Sequence, residues 1–102
     1  MIGYFFNRHI NLDAILMIQD PEFAHFDSEA SVNIEFEGRE HAVEIRFSQL
    51  NWPFIPEGCD ICPIADFVEQ FKKEHSLMVQ VWRQYQSGIL TITGSPEKLE
   101  TP

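Results

Sequence analysis

Residues 31–47 read SVNIEFEGREHAVEIRF, and this stretch decides the fold. Val32, Ile34 and Phe36 alternate with Asn33, Glu35 and Glu37; after a glycine, Val43, Ile45 and Phe47 alternate with Glu44 and Arg46. A period of two gives each strand one apolar and one polar face. Between the runs lies Glu37-Gly38-Arg39-Glu40, which fits a two-residue type II′ turn with Gly38 first. That turn sets Ile34 opposite Val43 and Val32 opposite Ile45 on one face. On the other it sets Asn33 opposite Glu44 and Glu37 opposite Glu40. A slip of one residue would turn every apolar side chain outward, so the register is strongly specified. The Glu37–Glu40 pair is a like-charge contact that costs some tenths of a kcal/mol.

Working outward, residues 63–86 carry the long helix. At about 100° per residue, Ile64, Phe67, Val68, Phe71, His75, Met78, Val79, Trp82 and Tyr85 fall in one stripe. Asp60 is a candidate cap upstream and Gly88 a stop downstream. The competing reading, a helix to His75 followed by a strand, would break that stripe. Residues 48–62, with Pro53, Pro56 and Gly58, form a loop. Residues 2–6 read as a strand. In residues 11–20, Asn11 as cap and Pro21 as stop suggest a short helix, although Leu12, Ala14, Leu16 and Ile18 also alternate as a strand would. Residues 89–93 (ILTIT) read as a strand, and 95–102 as a polar tail. The expectation is one α+β domain over residues 1–94, an antiparallel sheet containing hairpin 31–47 with the helix packed across one face.

The bulk composition allows such a core. The 102 residues are 44% hydrophobic, with nine Phe and two Trp, and a chain of this size fits one domain. A formal charge of −9 opposes direct binding to nucleic acid or to an anionic membrane and favours a cationic partner. No apolar run approaches the length of a membrane span, and the N-terminal apolar run is too short for a signal peptide. With two cysteines and no export signal, the expected compartment is the cytoplasm.

The charge is unevenly placed. Residues 20–44 hold Asp20, Glu22, Asp27, Glu29, Glu35, Glu37, Glu40 and Glu44 against Arg39 alone, a net of −7. The hairpin register puts Glu35, Glu37, Glu40 and Glu44 outward, with Asp27 and Glu29 nearby, either as a binding face or as a solvated edge relieved by Arg39. Trp52-Pro53-Phe54-Ile55-Pro56 offers Trp52 and Phe54 either as core or as an exposed partner-binding anchor.

Candidate chemistry centres on Cys59-Asp60-Ile61-Cys62 before the helix. A thiol at a helix N-terminus gains thiolate character, but the intervening acid opposes it, and the flanking pattern is not that of a thioredoxin. Twelve residues separate Cys62 from His75, the spacing of a zinc finger, yet no second His follows at positions 79–81. Cys59, Cys62 and His75 thus remain an alternative thiol or zinc centre, against the reading of packed thiols and a packed His. No nucleophile elbow, phosphate loop, dinucleotide fingerprint or zincin motif is present, so the expectation is a binding protein with no cofactor rather than an enzyme.

An acidic, aromatic-rich α+β chain of about a hundred residues without a catalytic motif resembles the small immunity proteins of bacterial polymorphic toxin and contact-dependent growth inhibition systems. The resemblance is one of type over the whole chain, and it carries no residue-level motif. It implies one-to-one neutralisation of a cognate, cationic nuclease toxin domain through the acidic face. The same profile also suits an acidic subunit of a larger assembly or a nucleic-acid mimic.

Overall fold

The alternation over residues 31–47 folds as read. The computed structural model describes residues 1–88. In it β5 (Glu29–Phe36) and β6 (Val43–Ser48) pair antiparallel with Val32 opposite Ile45, Asn33 opposite Glu44 and Ile34 opposite Val43. The turn differs from the expected one. The amide of Arg39 donates to the Phe36 carbonyl (3.2 Å), so Glu37 and Gly38 are its central residues, with Gly38 second at φ +83°. A positive φ at that second position is the requirement of a type II turn, which glycine meets without strain. The reason is a competing bond: the Glu37 amide donates to the Ala14 carbonyl (2.7 Å), outside the hairpin. The β5–β6 ladder therefore ends at the Ile34–Val43 pair, and the Glu37–Glu40 pair does not form.

On its other edge β5 is lined by two short strands in tandem, β3 (Ile15–Ile18) and β4 (Glu22–Ala24), both antiparallel to it. Gln19, Asp20 and Pro21 separate them; proline has no amide to donate, so the ladder breaks there. The helix expected over residues 11–20 is replaced by a 3-10 turn (Leu12–Ala14) and β3. Asn11 does cap, its side chain accepting from the Asp13 amide (3.1 Å), but only for that single turn. β5 then offers Ile15 and Ile18 inward places beside Phe36 and Ile34, and sheet pairing overrides the local helical preference.

The first strand extends as read, β1 (Ile2–Phe5), and returns at once as β2 (Arg8–Asn11). Phe6 and Asn7 form the two-residue turn with φ of +53° and +60°. A left-handed Asn is common; a left-handed Phe is strained by about 1–2 kcal/mol. Here the strain is offset in the core. The Phe6 ring is fully buried against Phe71 (4.8 Å between centroids), and its amide donates to Glu74 Oε2 at 2.9 Å.

The long helix, α1 (Ile64–Gln86), runs unbroken through His75, as the stripe requires. Asp60 does not cap it. Pro63 occupies the N-cap and contributes only its carbonyl, which accepts from the Phe67 amide (2.9 Å). Gly88 takes φ +86° just past the last turn, with its amide on the Tyr85 carbonyl (3.1 Å), as a glycine stop should. Phe67, Phe71 and Met78 are buried between α1 and the inner faces of Ala30, Val32, Ile34 and Ile45. The result is the expected α+β architecture: antiparallel strands with one long helix across their apolar side. The expected strand at 89–93 and the tail lie outside the described residues.

Candidate protein-binding face

Strand alternation fixes which side chains point away from α1. On β5 these are Glu29, Ser31, Asn33 and Glu35; β6 adds Glu44, Arg46 and Ser48, β4 adds Glu22 and Ala24, and β3 adds Met17 opposite Glu35. Four carboxylates thus share this face with one guanidinium. Arg46 lies across from Ser31 and reaches Glu44 Oε2 at 3.0 Å and Glu29 Oε1 at 3.5 Å. Its hydrogen bond to Glu44, followed by the charge of Glu44, pushes its pKa still higher. Ser31, at the centre, is only 9% exposed. Glu35 accepts from the Gln19 amide nitrogen (3.1 Å). Neither Glu35 nor Glu22 has a cationic partner among the described residues.

The acidic residues singled out from sequence do not all meet here. Glu35, Glu44 and Glu29 share the face. Glu37 and Glu40 lie beyond the strand ends, in the exposed turn segment, because the β5–β6 ladder stops at Ile34 and Val43. Asp27 is at the opposite end, on the β4–β5 loop. The cation that relieves the face is Arg46, not Arg39, since Arg46 alone is in the sheet register.

The β4–β5 loop holds a residue that pattern reading passed over. His25, Phe26 and Asp27 take φ of +53°, +55° and +67°, and Ser28 closes the loop with its amide and hydroxyl on the His25 carbonyl (3.1 and 2.7 Å). His25 lies 3.6 Å from Glu29. Histidine and aspartate tolerate left-handed backbone better than most residues; phenylalanine does not. Phe26 is nevertheless 99% exposed. It has the backbone strain of Phe6 without the burial that offsets it there. Its sequence context, AHFDS, contains no glycine and no apolar period, so the only available signal was an aromatic flanked by two residues tolerant of positive φ.

Trp52 is core. The Ser48–Asn51 segment forms a capping box, with Ser48 donating its amide to Asn51 Oδ1 (2.7 Å) and its hydroxyl accepting from the Asn51 amide (3.3 Å). This turn delivers the next residue inward. Trp52 is 2% exposed, lies within 5.0–5.7 Å of the rings of Phe47, Phe54, Phe67 and Phe71, and donates Nε1–H to Gln70 Oε1 at 2.6 Å. Phe54 leans on it and stays 44% exposed.

The two thiols lie in different environments. Cys59 is exposed and Cys62 buried; burial first, then the charges of Asp66 and Cys59, push the Cys62 thiol up, away from reactivity. His75 spends Nε2 on the Gln19 carbonyl at 2.7 Å, tying α1 to the sheet. Among the described residues no three His, Cys, Asp or Glu side chains converge as a metal site. Among them, too, no helix is long and apolar enough to cross a membrane. In comparisons with known proteins, no family model, no curated protein and no solved structure matches the chain.

Proposed function

We propose that this protein is a binding module for a cationic protein, and specifically an immunity protein that neutralises a nuclease toxin domain in the cytoplasm of the cell that makes it. The observation that carries the reading is Phe26, a strained and fully exposed aromatic beside an acidic sheet face. Aromatic side chains that bury on association dominate binding energy, while surrounding charge steers encounter and register. Glu22, Glu29, Glu35 and Glu44 would face the lysines and arginines with which such a nuclease holds phosphate, and Phe26 would enter an apolar pocket at the margin. Occlusion of the nucleic-acid surface needs no catalytic group on this chain.

The reading is tested with the product of the reading frame adjacent to this gene. That product should arrest growth when expressed alone and be harmless when co-expressed with this protein. In the purified pair, Glu22→Lys with Glu35→Lys should slow association about tenfold at low salt and flatten its ionic-strength dependence. The fold should be unaffected, because neither carboxylate is ion-paired within the described chain. Unchanged association rates would remove the acidic face from the mechanism.

A further inference from the structure

The corner where the chain leaves β2 and enters β3 is open. The 3-10 turn Leu12–Ala14 carries it from one sheet to the other, and the Glu37–Ala14 backbone bond holds the hairpin end against that corner. β2 makes no ladder with β5 or β6, so a cleft of about 330 Å³ is left between them. Its floor is apolar: Ile10 and Ile45, both buried, with Ala14, Phe36 and Val43. Its rim is polar and largely basic: Arg8, His9 and Arg39, with Asn11 and the one carboxylate of Glu37.

That rim is unusual for this chain. Only seven of its residues are Lys or Arg, against sixteen acids. Two of the seven arrive here from segments about thirty positions apart. Neither Arg8 nor Arg39 is ion-paired among the described residues, whereas Arg46 engages two carboxylates. An apolar floor with a few convergent polar groups, at this volume, is the usual form of a small-molecule site. Two guanidiniums supply the forked donors that suit a carboxylate or phosphate.

We infer that this cleft binds a small amphiphilic organic anion, with its apolar body on Ile10, Val43 and Ile45 and its anionic head between Arg8 and Arg39. The site is separate from the sheet face bearing Glu22, Glu29, Glu35 and Glu44, since Val43 and Ile45 point to the opposite side of β6. Its occupancy is therefore independent of the partner-binding reading. Glu37 favours a singly charged head over a doubly charged one, so the carboxylate is the preferred member of the class.

The experiment is a titration of the full chain followed by amide and methyl NMR, with octanoate, phenyl phosphate, inorganic phosphate and octanol as probes. Octanoate should bind in the sub-millimolar range and shift the signals of Ile10, Val43 and Ile45, with phenyl phosphate weaker. Inorganic phosphate, lacking the apolar body, and octanol, lacking the charge, should each bind at least about tenfold less tightly than octanoate. Arg8→Gln with Arg39→Gln should weaken octanoate by about tenfold or more, because each charge-assisted bond it loses is strong. Glu37→Gln should tighten octanoate and narrow its lead over phenyl phosphate. Octanol binding as well as octanoate, or octanoate binding the double arginine variant undiminished, would overturn the assignment. So would shifts confined to residues outside the cleft. The two arginines are exposed at the rim, so their replacement leaves the fold intact for the comparison.

Discussion

Replacing Phe26 by glycine is expected to raise the stability of the free protein by about 1 kcal/mol and to weaken binding of the proposed partner by about thirtyfold or more. The two effects have separate origins. Glycine reaches φ +55° without a Cβ clash, so the change relieves backbone strain. It removes no internal packing, because the ring is 99% exposed. Glycine also enlarges the freedom of the unfolded chain, which subtracts a little from the gain. Phe26→Ala keeps the clash and deletes the ring, so it should leave stability within about 0.5 kcal/mol while losing the same affinity. Urea midpoints and a binding titration on the three proteins check both. A residue kept for stability would show the reverse pattern.

Trp52→Ala is expected to cost about 3–5 kcal/mol, a large share of what a domain of this size has to lose. The indole is the hub where Phe47 of β6 meets Phe67 and Phe71 of α1, and its loss removes the contact between sheet and helix there. It also leaves the Gln70 carbonyl oxygen without its donor. Trp52→Phe, which keeps an aromatic body but not the N–H, should cost about half as much. Urea denaturation followed by circular dichroism reads both. Were Trp52 an exposed anchor, its replacement would reduce binding and spare stability.

What could be read from the sequence followed from how local each signal is. The β5–β6 register was legible because Val32, Ile34, Val43 and Ile45 admit one pairing that turns them all to the same face. The position of Gly38 within its turn was not, because the Ala14 carbonyl that claims the Glu37 amide is more than twenty residues away. The long helix was legible from its stripe. Its cap was not, because an acid upstream has the character of a cap whereas Pro63 occupies that place. β2 was missed for want of a turn signal, since Phe6-Asn7 is not the glycine-bearing pair a tight hairpin usually carries. β3 was not legible, because Asn11 and Pro21 are local signs of a helix, whereas the strand depends on a place beside β5.

The candidate face was half legible. Parity gave Glu35, Glu44 and Arg46, but Glu22 joined only through β4, and the reach of Arg46 to Glu29 only through its cross-strand place opposite Ser31. Phe26 was hidden, as exposure of a single aromatic leaves no periodic trace. The described residues bring no metal-type cluster together at the thiols, for a reason that spacing does not encode: Cys62 is packed into the core and His75 already holds the Gln19 carbonyl.

The most direct measurement is an amide chemical-shift map of this protein in complex with the product of the adjacent reading frame. If the acidic face and its aromatic tip are the docking surface, the largest shifts will fall on residues 22–29, 33–35 and 44–46. Shifts concentrated on α1 or on residues 54–62, with Phe26 and Glu35 unmoved, would contradict it.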